Sequence, residues 1–468
     1  MSVTHPDTAD ANRQRVSTLA LVAVAEFMVS LDVLVVTTAF GAIRHDLAAR
    51  PVDLQWTLTV YTVCLAGCLM AGASLGDRFG RRRMLIIGIA LFTIGSAGCG
   101  LSPGLGLLIS SRALQGVGAA LVLPLSLPLI SVAFPPERQG RALGIVAGIS
   151  GLATFAGPLI GGGLAAELGW RWIFWVNVPV GIVLMILIRR AVPESRGPTS
   201  KIDGAGMALV TAGLICLAWG LSRIPDRGLS SPDVLIGISI GLVLMISFVV
   251  WEASTTHPMI EIGLFGSIRF ASTNLVTLCH SVLVLGAVAL MAQYLQATLR
   301  IDSFIAGLEL LPWTGSMMFI APLAGRLADH IGTRTVIIGG LVLAGAGAGW
   351  LAWASHPGTS YRDLVPALVI MGIGNSAVFP AVSAAVVAGV DLEKIGPASG
   401  ANNTVRQTGG VLGIAIMTAI FSATGDFTTS TAAAQGFRAA LIACVVAALV
   451  GALAGVAGPS SNLWNSGE

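Results

Sequence analysis

The sequence predicts an all-α membrane protein of about fourteen transmembrane helices, and three observations carry that reading. Hydrophobic residues make up 55% of the 468 positions and charged residues only 10%. That is more apolar surface than one water-soluble core can hide. Apolar runs recur at close to the ~20 residues a helix needs to cross a hydrocarbon layer of ~30 Å. The runs lack period-two alternation, which argues against an outer-membrane barrel. Inside lipid each backbone amide has to pair within its own segment, which leaves the helix.

In chain order the spans are read at 17–40, 54–75, 84–102, 106–134, 141–166, 172–190, 203–222, 232–252, 270–296, 304–324, 335–354, 363–389, 398–424 and 437–457. Residues 1–16 are polar and read as a cytoplasmic tail. The first apolar run is too long for the core of a cleavable signal. Cytoplasmic loops collect Lys and Arg. With the N-terminus inside, sixteen of the 26 basic residues fall in inner segments, eight in outer ones, and Arg112 and Arg406 within spans. Both termini are therefore expected inside, as an even number of spans requires. Trp56, Trp170, Trp172, Trp175, Trp219, Trp350 and Trp353 fall near predicted outer ends, as an interfacial belt would.

The net charge of +3 is accounted for by topology and implies no nucleic-acid partner. The six cysteines are scattered through apolar runs. Cys64 and Cys68 share a helix face, but no further ligand joins them, so they read as small core residues and no metal is expected. No phosphate-cradling Gly-x-x-x-x-Gly-Lys loop, zinc-ligand cluster or nucleophile elbow is present. The expectation is a protein that is not an enzyme and needs no cofactor.

An internal repeat organises the chain. Gly116, Gly118 and Pro124 reappear 256 residues on as Gly372, Gly374 and Pro380. The same offset carries Glu137-Arg138 onto Glu393-Lys394 and Gly157 onto Gly413. Upstream, an offset of 252 maps Asp77, Gly80 and Arg82 onto Asp329, Gly332 and Arg334. The expected plan is an N-terminal six-helix bundle over 17–192, a two-helix insert over 203–252, a C-terminal six-helix bundle over 269–457 and a cytoplasmic tail over 458–468. Parallel six-helix halves are a known transporter plan, with the substrate site at the midplane between them.

The segment from Ala73 through Asp77, Arg78, Gly80, Arg81 and Arg82 to Arg83 joins spans two and three on the inner side, and Gly325 to Arg334 repeats it. A carboxylate at a helix end, a glycine turn and nearby cations can lock neighbouring helix ends by charge-assisted hydrogen bonds. The plainer alternative is a positive-inside anchor. Here the chain resembles the major facilitator superfamily, whose inner-loop signature is Gly-x-Leu-Ala-Asp-Arg-x-Gly-Arg-Lys; the first copy departs by placing Ala73 at the opening glycine. Further stretches narrow the resemblance to the fourteen-span drug–proton antiporters: Leu31-Asp32; Arg112 with Gln115, Gly116 and Gly118; Gly157-Pro158 with Gly161; Trp170 through Asn177 to Pro179; and Asn403 through Arg406 and Gln407 to Gly410. Together these cover nearly the whole chain. Gly157 and Gly161, four residues apart, leave one helix face bare for a close neighbour, and Pro158 permits a bend. The resemblance implies that these three form a hinge against the other bundle.

A charge at mid-bilayer costs about 2.5–3.5 kcal/mol on insertion scales, so each intramembrane charge needs a partner or a wet cavity. At ~1.5 Å per residue, Asp32 lies roughly 12 Å and Arg112 roughly 9 Å from the outer side. Equal depth permits a pair, and the resemblance adds helix adjacency. Asp32 and Arg112 are read as the proton-coupling site, with a static ion pair as the alternative. Glu26, where family members often carry a neutral residue, is the next proton candidate and can face Arg406 from the inner side. Glu309 beside Trp313 would suit a cationic aromatic substrate by charge and cation–π attraction, or it simply reaches the interface. Arg406, Asn403 and Gln407 complete the expected substrate cavity. His280 reads as a helix-contact residue or a proton relay.

The resulting expectation is a monomeric secondary transporter of the bacterial inner membrane. It exports amphipathic or cationic organic compounds in exchange for protons, with membrane lipid as its other partner. The alternatives are an exporter of one endogenous metabolite and a lipid-moving membrane protein.

Overall fold

The structure, a computed structural model, describes residues 8–458 apart from 135–144, 147–148, 150–152, 154–155, 158, 198–202, 229, 257, 259, 389 and 391–394. It is helical throughout, with no strand among the described residues. The helices are α1 (Thr8–Thr38), α2 (Phe40–Leu47), α3 (Pro51–Phe79), α4 (Arg81–Gly100), α5 (Leu105–Ala133), α6 (Trp172–Trp175), α7 (Asn177–Ala191), α8 (Gly204–Arg227) and α9 (Pro232–Ser254). They continue with α10 (Ile268–Leu299), α11 (Ser303–Glu309), α12 (Leu311–Thr314), α13 (Ser316–Ile331), α14 (Thr333–Ala354), α15 (Tyr361–Ala388), α16 (Ile395–Thr424) and α17 (Ser430–Val456). Among the described residues twelve helices are long and apolar enough to cross a membrane, and a thirteenth, α3, is bent by 50° between Asp53–Leu69 and Ala71–Phe79. The chain is a multi-pass membrane protein. The expected fifth span, 141–166, lies largely outside the described residues; positions 159–167 are helical.

Element ends follow local chemistry. Two spans are broken where a proline cannot donate to the preceding turn: Pro179 follows the α6–α7 break, and Pro312 sits in the first turn of α12. The segment expected as a loop between spans two and three is instead almost wholly helix. α3 runs through Asp77 to Phe79, and Gly80, at φ 108°, is the single residue before α4. Gly332, at φ 87°, separates α13 from α14 in the same way. A left-handed backbone favours glycine, so each turn can be one residue long. The last span starts at Ser430 rather than 437, because the Thr429 side chain caps it by accepting from Ala432 N.

Packing is closest where small residues meet. A side chain at Gly118 of α5 would meet the Phe92 backbone at 2.6 Å and Gly88 O at 2.7 Å on α4. The matching pair recurs 256 and 252 residues on, where a side chain at Gly374 of α15 would meet Gly340 O of α14 at 2.5 Å. Contact through bare helix faces is how membrane helices gain van der Waals packing. α8 packs against both α3 and α16, with Thr211 pressed against Gly67. α9 packs on α8 and turns Ile236, Val243, Ile246 and Val250 outward, an apolar face suited to lipid. At the end of the molecule that holds Trp170, α1 meets α10, where Gln296 Nε2 donates to Thr38 O at 3.2 Å.

Candidate functional site

Asp32 on α1 and Arg112 on α5 form an ion pair in the protein interior, with Asp32 3% exposed and Arg112 fully buried. Two helical spacings build the rest of the site. Gln115 lies three residues after Arg112 and so shares its helix face; its Oε1 accepts from Arg112 Nη1 at 2.8 Å. Asn177 opens α7 just past the α6 break. Asp32 Oδ1 accepts from Gln115 Nε2 and from Asn177 Nδ2, each at 3.2 Å. Ser96 of α4 ties the two amides together, accepting from Gln115 Nε2 at 2.7 Å and from Asn177 Nδ2 at 3.4 Å. Arg112 Nε donates to Thr57 O at 3.0 Å.

The guanidinium sits over the Tyr61 ring at 4.3 Å and lies 5.9 Å from the Phe174 ring. Aromatic faces attract a desolvated cation, which helps hold Arg112 out of water. Arg112 Nη2 has no hydrogen-bond partner among the described residues. Arg112 and Gln115 of α5 and Asn177 of α7 thus meet on one carboxylate, with α3 and α4 holding the donors in place. Asp32 and Arg112 are brought together, as their depths permit. Gln115, Asn177, Ser96, Tyr61 and Phe174 were not singled out as site residues. Gln115 and Asn177 stand inside the quoted motifs, which is the signal that points to them.

The second expected charge pair spans α1 and α16. Glu26 and Arg406 stand within electrostatic reach of each other. Arg406 Nη2 also donates to Asn403 Oδ1, and the guanidinium lies 5.2 Å from the Phe379 ring. Gln407 is half-buried. Asn402, not Asn403, ties α16 to α10, donating to Asn274 Oδ1 at 3.1 Å and Thr277 Oγ1 at 2.7 Å. Nearby, His280 and Asn375 are more than nine-tenths buried, and His280 Nε2 and both Asn375 amide atoms lack hydrogen-bond partners.

Glu309 is half-buried at the end of α11, and its Oε2 is buried without a partner. Tyr361 donates to its backbone oxygen at 3.0 Å. Trp313 is 4% exposed and belongs to an apolar core with Leu290, Leu310 and Met371.

At the opposite end of the molecule, Asp77 Oδ1 accepts from Arg81 Nε at 2.9 Å and stands 2.8 Å from Arg81 Nη2 in an ion pair. Arg78 is exposed, its guanidinium 5.3 Å from the Phe79 ring. Arg82 Nε approaches Glu194 Oε2 at 3.6 Å and Arg82 Nη1 donates to Val192 O at 3.2 Å. The chain leaving α7 therefore folds over the α3–α4 turn, and Gly197 N donates to Asp77 O at 3.2 Å. Glu194 was not expected there; a linker carries no periodicity that would reveal its path. Arg334 is half-buried, and the side chain of Asp329 lies outside the described residues. Gly157 is buried, and a side chain on Gly161 would meet Val35 O at 2.7 Å. Pro158 lies outside the described residues.

Sequence comparison places these features among relatives. The profile described as Major Facilitator Superfamily matches residues 22–414 and 270–466. The chain is 32% identical over 404 residues to a tetracenomycin C resistance and export protein from Streptomyces glaucescens, covering 86% of this chain and 74% of that one. It is 32% identical over 415 residues to the multidrug resistance protein Stp of Mycobacterium tuberculosis, covering 88% and 77%. Among solved structures, a POT family transporter in complex with a thioalcohol-conjugated peptide superposes with a TM-score of 0.70 at 15% identity, covering 92% and 94%. That likeness concerns the fold.

Proposed function

We propose a function that starts from family membership: the chain belongs to the major facilitator superfamily, and within it acts as a proton-driven exporter of amphipathic or cationic organic compounds from the cytoplasm. The observation that carries this reading is the buried Asp32–Arg112 pair, linked through Gln115 and Asn177 to Ser96 and so to two further helices, α4 and α7. An ion pair at that depth is expensive to keep. A titratable group there has a use if its charge changes during the cycle.

The cycle alternates access between an N-terminal bundle over 17–192 and a C-terminal bundle over 269–457. A proton taken by Asp32 from the outer side removes the charge that holds Arg112. Closure carries the neutral acid inward. Release to the cytoplasm restores the ion pair as substrate enters. Proton and substrate occupy the protein in turn, which gives antiport. Arg406, Asn403 and Gln407, together with Glu309, supply polar contacts for the cargo, and Glu26 is the second proton candidate. The turn at Asp77, Arg81 and Gly80, with its counterpart at Asp329, Gly332 and Arg334, closes the cytoplasmic side. Gly157, Pro158 and Gly161 form the hinge. Both termini lie in the cytoplasm, the membrane is the bacterial inner membrane, and one chain suffices.

Purified protein in vesicles, loaded with an aromatic cationic dye, tests the proposal. An imposed inward proton gradient should drive dye out against its concentration, and collapsing the gradient should stop it. Efflux at the same rate with no gradient contradicts it. A narrower reading, export of one antibiotic, is favoured by the tetracenomycin C exporter among the relatives. A dye panel would then show one substrate and no others.

A further inference from the structure

The tryptophan-rich stretch that begins with Trp170 does two things, of which the proton site uses only one. Its buried side, Phe174 and Asn177, faces Arg112 and Asp32. Its other side lines a cavity of about 610 Å³ at the far end of the molecule from Asp77, with walls that include Trp170, Trp172, Trp175 and Pro179 and polar groups from Asp46 and Arg171. Small-molecule sites measure about 300–1,000 Å³, are mostly apolar and carry a few convergent polar groups.

The polar groups have a defined arrangement. Asp46 Oδ2 accepts from Trp170 Nε1 at 3.0 Å and from Arg171 Nη1 at 2.7 Å. Arg171 is spent on these contacts: its Nη2 donates to Ser102 O at 3.1 Å and its guanidinium lies 4.4 Å from the Trp170 ring. Asp46 Oδ1 takes no hydrogen bond among the described residues. The hydrogen bond from Trp170, then that from Arg171, holds the Asp46 carboxyl below its ordinary range, so it is charged at neutral pH. Trp172 is half-exposed, and Trp175 stands against the Gly100 backbone of α4. Indole faces attract cations, and flat apolar walls take a flat apolar body.

We infer that this cavity is an exit-side binding site for a flat aromatic cation, whose charged end meets Asp46 Oδ1 while its rings lie against Trp172 and Trp175, with the buried Trp170 holding Asp46 in place. The inference rests on the exporter reading for its cargo and its side of the membrane. The cavity and the proton site share the short α6–α7 segment, so cargo leaving by this route passes within one helical turn of Asn177.

The probe is ethidium monoazide, photolysed on the purified full-length protein, with the labelled peptide mapped by mass spectrometry. Label is expected within residues 168–179. It should fall at least fivefold in Trp172→Ala and in Asp46→Asn, and stay unchanged in Trp353→Ala, an exposed tryptophan on another helix. Three results would overturn the inference: label only elsewhere, equal label in all variants, or equal label from an anionic azidonaphthalene sulfonate. Gradient-driven ethidium efflux is measured on the same wild-type preparation. Efflux without label at 168–179 rejects the cavity alone, whereas label there without efflux rejects the exporter reading alone.

Discussion

Asn177 reaches from the first residue of α7 to Asp32 on α1, giving its Nδ2–H to Asp32 Oδ1 at 3.2 Å beside the second donor, Gln115. The helix that turns at the tryptophan-rich stretch is thereby tied to the acid in span one. A buried hydrogen bond to a charged group contributes about 1.5–3 kcal/mol. Asn177→Leu should lower gradient-driven efflux roughly tenfold or more, the kinetic equivalent of at least about 1.4 kcal/mol. Asn177→Gln should recover part of it. Efflux rates in proteoliposomes at matched protein content check this; an unchanged Leu variant would remove Asn177 from the site.

The turn at Gly80 yields a second expectation. Asp77 pairs with Arg81, and Glu194 from the departing linker faces Arg82. Asp77→Asn and Glu194→Gln should each loosen this end and favour the inward-open state. About 1.4 kcal/mol alters a two-state ratio tenfold. Labelling of single cysteines placed along the inner half of α16 by a membrane-impermeant maleimide from the cytoplasmic side should rise severalfold in both variants.

Glycine pairs at the α4–α5 and α14–α15 crossings leave no room for a side chain. Gly118→Ala would put a methyl group 2.6 Å from the Phe92 backbone, and Gly374→Ala would do the same against Gly340. Overpacking costs about 1–3 kcal/mol. Each variant should melt several degrees lower in detergent, while Ala at Gly349, where the nearest atom is 3.6 Å away, should leave the midpoint unchanged.

The Asp46 contacts set a pH window. Hydrogen bonds from Trp170 and Arg171 place its folded-state pKa below the unfolded value of 3.8. The stabilisation it provides is therefore present above pH 3.8 and disappears as the pH falls through the folded value. The difference in melting temperature between wild type and Asp46→Asn should be constant from about pH 5 to 8 and shrink below about pH 4.

Much of this was legible in the chain for identifiable reasons. The approximate placing of the spans follows from hydropathy, though their ends do not, and depth along two helices permits the Asp32–Arg112 pair, whose helix adjacency comes from the resemblance. Rotation about those helices was not legible: a span apolar on all sides has no amphipathic face to orient it. Ser96 and Tyr61, which stand in no quoted motif, are therefore invisible as partners. Trp313 illustrates the same gap. It neighbours Glu309 in sequence, yet the break around Pro312 turns it into the apolar core with Leu310 and Met371. The Asp77 segment looked like a loop because it is polar and glycine-flanked, whereas one left-handed glycine is enough to turn the chain. Glu194 sits in a linker whose course is set by the arginines it meets.

Asp32→Asn is the measurement that bears most directly on the account. Asn preserves the size and one carbonyl acceptor for Arg112 but cannot carry a proton. In proteoliposomes with an imposed pH gradient, the variant should fail to move dye uphill while still binding it and exchanging it with dye on the other side. Uphill transport by Asp32→Asn at the wild-type rate would contradict the assignment of Asp32 as the proton carrier.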